Sequence, residues 1–333
     1  MRAVVVERFG EPADVVTVAQ RPEPLCGAGM VRVRMLLSPI NPSDLMTVRG
    51  IYGRRPDLPF TPGYEGVGIV EEARGVLAWV RRLRGKRVAV LNGIGGNWAE
   101  QVVVPSRQVV PLPAHLSDQQ GATFFVNPAS AIVMTRYVFK VPRGQWLLQT
   151  AAGSALGRMV IRLGVREGFR TINLVRRRAQ VEELKRLGAD EVLVLGEDDI
   201  PTRVRNLTGS RGGVTYAIDC VGGEMGSQAV ACLGRGGRLL LYGTLSNEPI
   251  RFDPRVLMVG GKKIEGFWLS EWVRTQSPLA MLSLFKRIES LMRDGVIDTE
   301  VGTVYELDQI AQAAREAEKP ARGGKVLLRI TSR

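Results

Sequence analysis

The spacing of apolar positions along the 333-residue chain changes twice. Up to about residue 115, short β-branched runs (AVVVE, MVRVRMLL, GVGIVEEA, KRVAVL, EQVVVP) alternate with polar positions between Gly and Pro clusters, which predicts a compact, mainly β unit. From about 119 to 270, strands alternate with helical patterns: WLLQTA, SALGRMVIRLGVREG, TINLV, RAQVEELKRLG, EVLVL, VTYAIDCV, GSQAVACLG, GRLLLYG and KIEGFW. This order predicts a doubly wound α/β unit, a parallel sheet with helices on both faces. The tail holds two amphipathic helices, MLSLFKRIESLMRDG and LDQIAQAAREAE, and a last strand, KVLLRI. A lone strand needs a sheet to join, so the tail is expected to return to the first unit. The expected domains are 1–118 with 273–333, and 119–272.

Composition narrows the class. An apolar content of 45% excludes a mostly disordered chain. No apolar run reaches 18 residues, and MRAVVVERFG lacks a signal-peptide core, so a cytoplasmic protein without membrane contact is expected. Three cysteines, Cys26, Cys220 and Cys232, share no CxxC spacing and support neither a disulfide framework nor a zinc ribbon. The net charge of +13 suits a polyanionic partner. Nucleic acid is the weaker candidate, because the cations cluster only at RRLRGKR (81–87) and Arg176–Arg178, without interleaved aromatics. The first cluster reads as a solvated turn before the strand RVAVL.

The second cluster gains meaning from the residues upstream of it. In WLLQTAAGSALGRMVIRLG an apolar strand meets a small-residue turn, Ala151, Ala152, Gly153, Ser154, Ala155, Leu156 and Gly157, that opens a helix. Such a turn lets backbone N–H groups approach a pyrophosphate at a helix N-terminus. The glycine fingerprint is degraded, with Ala152 and Ser154 at its first two positions, and a turn that only packs a helix on a sheet has the same composition. About twenty residues further on, a dinucleotide fold carries an acid for the NAD ribose or a base for a 2′-phosphate. Counting from Gly157 gives Arg177, flanked by Arg176 and Arg178, and no Asp or Glu lies between Gly168 and Arg178. These arginines suit NADPH, with solvent-facing strand-end charges as the alternative.

SPINPSDLMTVRGIYG (38–53), VNPASA (126–131), FRTINLVRRR, DCVGG (219–223) and EGFWLSEW (265–272) extend the pattern across the chain. It resembles the medium-chain dehydrogenase/reductase superfamily, and within it the mitochondrial-type 2-enoyl thioester reductases and NADPH:quinone oxidoreductases. The resemblance implies a GroES-like catalytic domain and a Rossmann cofactor domain. It implies NADPH as cofactor, an enoyl thioester or a quinone as substrate, and a homodimer. A cofactor-binding protein without turnover, crystallin-like or nucleic-acid-binding, is the alternative from outside the enzymes.

The superfamily's zinc branch needs Cys and His ligands. This chain has one histidine, His115, and Tyr64 in GYEG stands where the superfamily's ligand histidine usually is. No metal site is expected, which favours reduction of an electron-poor C=C bond over alcohol oxidation. Tyr52 matches the family's catalytic tyrosine, although a loop tyrosine that merely packs fits the same position. Asn41 and Ser43 are candidates to fix substrate or nicotinamide, and are also ordinary turn formers beside proline. Trp268 resembles an acyl-pocket residue, with a core tryptophan as the alternative. For the cofactor the resemblance implies Asn127 with Pro128, then Cys220, Val221 and Gly222, Tyr242, Gly243 and Thr244, Phe267, Trp268 and Leu269, and Lys325. Arg54 and Arg55 read first as solvated loop charge and second as an attraction for a carrier phosphate.

Overall fold

A computed structural model describes residues 1–53, 55–320 and 323–332. It divides into two compact units, Met1–Val126 with Asp298–Arg333, and Asn127–Ile297. Strands are numbered along the chain. In the first unit β1 (Arg2–Val6) and β2 (Val16–Gln20) form an antiparallel ribbon. The main sheet takes β3 (Met30–Pro39), β4 (Glu65–Ala73), β5 (Arg87–Leu91), β6 (Gln101–Pro105) and β7 (Val109–Pro111), joined by β14 (Val301–Glu306) and β15 (Lys325–Arg329). Its order is β14-β15-β3-β4-β5-β7, and β6 also pairs with β3.

Period-two patterning explains β3. Val31, Val33 and Met35 are fully buried, while Arg32 and Arg34 lie between them and pair across the ladder with Glu72 and Glu71. Beyond Met35 every residue of β3 is buried. There β15 pairs with β3, Leu327 opposite Pro39 and Leu328 opposite Ser38.

That junction also brings charge into the interior. Lys325, at the start of β15, is 4% exposed and donates its ammonium to Asn41 Oδ1. Asn41 passes the link on, its Nδ2 donating to Glu65 Oε1 at 3.0 Å and its backbone N–H to Asp44 Oδ2 at 2.7 Å. Tyr64 N–H donates to Asp44 Oδ1 at 3.1 Å, and Glu65 Oε2 accepts from Val126 and Phe125 N–H at 2.9 and 3.2 Å. Two buried carboxyls therefore share one buried ammonium, and a proton on one carboxyl makes the cluster neutral. Burial is the largest influence on both: it lifts Glu65 and raises Asp44 to about 7, against the pull of Lys325.

The second unit is a six-stranded, all-parallel sheet in the order β10-β9-β8-β11-β12-β13. Its strands are β8 (Trp146–Gln149), β9 (Arg170–Val175), β10 (Glu191–Val194), β11 (Val214–Asp219), β12 (Leu233–Leu241) and β13 (Lys263–Gly266). Successive strand residues enter opposite cores. Ile172, Leu174 and Leu193 join one with Val204 and Ala229, whereas Val175, Val192 and Val194 join the other with Ile161 and Leu184. Helices thus cover both faces, as parallel strands require.

The unit boundaries differ from those expected at 118/119 and 272/273. Helix Asp118–Ala122 stays with the first unit, where Asp118 pairs with Arg87 at 2.8 Å. Helix Pro278–Arg293 belongs to the second, where Arg287 pairs with Glu167 and Asp294 with Arg166. Amphipathicity shows that such a helix must pack, without saying on which unit.

The charge cluster sets a pH dependence. A carboxyl whose folded pKa lies above its unfolded value holds a proton that unfolding releases, so stability is greatest below the unfolded value and falls as pH rises toward the folded one. For Asp44 that window runs from about 4 to about 7. Urea unfolding at pH 5 and pH 7 is expected to show a loss on the order of 2 kcal/mol from this group. The loss should shrink in Asp44→Asn, and an unchanged pH slope in that variant would refute the assignment.

Candidate functional site

The strand order of the second unit reverses between β8 and β11, which start neighbouring crossovers in opposite directions. Crevices at the carboxyl ends of such strands are where open α/β sheets take ligands. Asp219, fully buried at the end of β11, ties these ends together. Its carboxylate accepts from Thr150 Oγ1 at 2.5 Å and from the N–H groups of Val221 and Gly222 at 2.9 Å each. Thr150 Oγ1 in turn accepts from Cys220 N–H at 3.2 Å, so the loops after β8 and β11 are held as one.

After β8 the chain turns through Ala151, whose φ of +47° is left-handed, an unusual state for a residue with a Cβ. Ser154 caps helix Ala155–Glu167, its Oγ accepting from Gly157 N–H at 3.1 Å. A Cβ on Gly157 would lie 2.5 Å from Ala152 O, so only glycine lets this helix approach the turn so closely. Ala152 and Leu156 are buried beneath, while Gly153, Ser154 and Ala155 remain partly open. A tight turn of small residues feeding a capped helix N-terminus suits a dinucleotide pyrophosphate.

Beyond β9, Arg176, Arg177 and Arg178 are exposed. Arg178 pairs with Glu197 at 2.5 Å, whereas Arg176 and Arg177 have no carboxylate partner among the described residues. Two cations at this strand end are therefore available to a phosphate. The loop after β12 lies on the loop after β11: Leu245 and Ser246 N–H donate to the carbonyls of Cys220 and Val221 at 2.9 and 2.7 Å. Gly243 packs against Cys220, and Thr244 is exposed. The Tyr242 hydroxyl is buried against the Cys220 thiol, and burial drives both upward, the thiol to about 12. Cys220 is therefore a protonated, packed group. Phe267 N–H continues the ladder to Leu241 O at 2.8 Å, followed by Trp268 at 40% exposure and a half-buried Leu269. Trp268 is thus not a core residue. Asn127 is half-buried in helix Val126–Ile132, with Pro128 buried beside it.

In the first unit Tyr52 is partly exposed, and its ring packs on Tyr64 at a centroid distance of 6.1 Å, tilted by 54°. Tyr64 is anchored by Thr47, hydroxyl to hydroxyl at 2.7 Å, and Thr47 donates to Ser43 O. Burial raises Tyr64 above the ordinary phenol range. Asn41 is 2% exposed, with both ends of its amide engaged by Lys325 and Glu65. It acts as a positioning residue beneath helix Pro42–Val48, and Lys325 shares its buried cluster. Arg55 stacks over the Phe9 ring at 4.0 Å, and Arg54 lies outside the described residues. His115 is exposed, and among the described residues no three His, Cys, Asp or Glu side chains group to hold a metal.

Three residues gain importance that sequence reasoning had not given them. Gln180 lays its amide over Gly153, and Arg158 donates to Gly153 O at 3.2 Å while pairing with Glu183. Tyr64 was noted only as the replacement for a histidine. An arginine in the first turn of a nucleotide-binding helix is a usable signal, but no sequence spacing relates Gln180 to Gly153.

Comparison with known proteins agrees with this arrangement. Residues 27–114 match the family described as alcohol dehydrogenase GroES-like domain, and residues 155–287 match the zinc-binding dehydrogenase family. The mitochondrial enoyl-[acyl-carrier-protein] reductase of Homo sapiens is 30% identical over 332 residues, spanning 98% of this chain and 88% of the relative. A putative NADPH:quinone reductase structure from Bacillus thuringiensis superposes with a TM-score of 0.91 at 34% identity, covering 98% of each chain. A mycobacterial protein solved in complex with NADPH gives a TM-score of 0.87 at 26% identity, over 99% of both chains. With a GroES-like unit, a Rossmann-like nucleotide-binding unit and, among the described residues, no zinc ligand set, the chain belongs to the zinc-independent part of the medium-chain dehydrogenase/reductase superfamily and is an oxidoreductase.

Proposed function

We propose that the protein uses NADPH to reduce the activated C=C bond of a 2-enoyl thioester. The reading rests above all on Tyr52, a partly exposed phenol held against the anchored ring of Tyr64 where zinc-dependent members of the superfamily place a metal ligand. The likeness to the human mitochondrial enoyl reductase supports it. When bound, NADPH would supply the hydride for the β-carbon. Tyr52 would donate a hydrogen bond to the thioester oxygen as negative charge develops there, and water or the same phenol would supply the α-proton. The turn Ala152–Gly157 and the helix capped by Ser154 would hold the pyrophosphate, and Arg176 with Arg177 the 2′-phosphate. Trp268 would line the acyl pocket and Asn127 the nicotinamide side. Pairing of the edge strand β13 between two copies would give a homodimer.

Quinone reduction is the second reading, favoured by the 34% identity to the putative quinone reductase. Turnover of NADPH with a medium-chain trans-2-enoyl-CoA and with a small quinone separates the two, and preference for the quinone would overturn the thioester assignment.

Tyr52→Phe is expected to lower kcat on the enoyl thioester by about 10²- to 10⁴-fold with NADPH affinity unchanged, as steady-state kinetics and calorimetry would show. Arg176→Ala combined with Arg177→Ala is expected to weaken NADPH binding by roughly 10- to 100-fold and leave NADH binding nearly untouched. An unaltered NADPH preference in calorimetric titration would remove both arginines from the phosphate site.

A further inference from the structure

The stretch VLAWVRRLRGKR (76–87) has no part in the chemistry above, and its side chains are arranged against the usual rule for a surface helix. Helix Val76–Val80 turns only Ala78 into the core, and the following turn buries only Leu83. Two arginines fix this segment to the sheet. Arg81 donates to the carbonyls of Ser106 and Val109 at 2.8 and 2.9 Å, and Arg87 donates to Asp118 and to the carbonyl of Pro113, each at 2.8 Å. The outward positions of the anchored helix are all apolar: Val76 is 78% exposed, Trp79 79%, Val80 62% and Leu77 49%. A helix that packs on its own protein keeps its apolar stripe inside and its polar residues outside. Contiguous exposed apolar side chains of this size mark a surface that something else covers.

The charge beside the patch says what kind of surface that is. Arg82, Arg84 and Lys86 follow directly, are exposed, and make no ion pair among the described residues. Arg81 is turned inward to the carbonyls of Ser106 and Val109, so the three following cations carry the outward charge. The chain as a whole carries +13. A tryptophan with three aliphatic neighbours, bordered by exposed cations, matches the chemistry of a bilayer interface. There an indole sits at headgroup level, aliphatic side chains enter the acyl boundary, and Lys or Arg meet anionic phosphates. We propose that this segment docks the protein on an anionic lipid surface. It does so as a peripheral contact, and among the described residues no helix is long and apolar enough to cross a membrane.

The test uses the full chain, sedimented with vesicles of phosphatidylcholine alone and of phosphatidylcholine mixed with phosphatidylglycerol. Binding is expected to the mixed vesicles only and to weaken with added salt. A variant with Arg82→Gln, Arg84→Gln and Lys86→Gln should bind about a hundredfold more weakly, at roughly fivefold per charge. Val76→Ser with Trp79→Ser should abolish binding and the blue shift of tryptophan emission on vesicle addition. Both variants change exposed side chains, so unchanged circular dichroism and NADPH turnover would show that they are folded. Failure of the wild type to bind mixed vesicles, or equal binding by the variants, would overturn the proposal. So would a dimer in sedimentation equilibrium that Trp79→Ser converts to monomer, since a second copy would then be the cover.

Discussion

Burying one ammonium constrains the first unit more than any other single contact. An ammonium removed from water is tolerated only beside compensating charge and well-placed acceptors, and losing a partner of a buried ion costs several kcal/mol. Lys325 meets that demand through Asn41, which reaches Glu65 and Asp44, so β15, the start of helix Pro42–Val48 and the start of β4 are fixed relative to one another. Tyr64 follows Asp44 through its backbone N–H, and Tyr52 follows Tyr64 through ring packing. The orientation of the proposed acid therefore traces back to a charge balance beneath it. An apolar core of similar volume would be cheaper to bury but would not specify one arrangement of these loops.

In the second unit the comparable part is played by a neutral–anionic contact. Thr150 and Asp219 join two strand ends that are neighbours in the sheet but 69 residues apart in sequence. Their bond sets where the small-residue turn begins. The left-handed Ala151 and the close approach of Gly157 to Ala152 follow directly on that fixed starting point in the chain. The geometry of the degraded glycine fingerprint is supported from outside the motif and not by the motif alone.

Period and punctuation made the two units legible. MVRVRM alternates as a half-buried strand does, and the RVAVL of β5, VTYAIDCV and GRLLLYG run apolar as strands covered on both faces do. VGTVYE, which forms β14, carries no clear strand pattern, because an edge strand with a single buried position leaves little periodic signal. The arginines after TINLV were legible because their place follows from the strand end. That Arg178 is committed to Glu197 was not, since it depends on the register of β10 against β9. Asn41 looked like a site residue from its motif, and only its contact with a residue 284 positions away shows the amide to be occupied. The apolar run VLAWV gave no warning either, because apolar composition alone does not show which way a side chain points.

The position of Lys325 also orders the birth of the molecule. The carboxyls it balances lie at positions 44 and 65, so the whole of the second unit, Asn127–Ile297, is inserted between the partners of one buried cluster. Because synthesis runs from the amino end, β15 is made after every residue of the second unit, and the first unit's charge cluster cannot close before then. The amino-terminal part of the first unit is thus made first and is completed only by a strand that comes after the whole of the second.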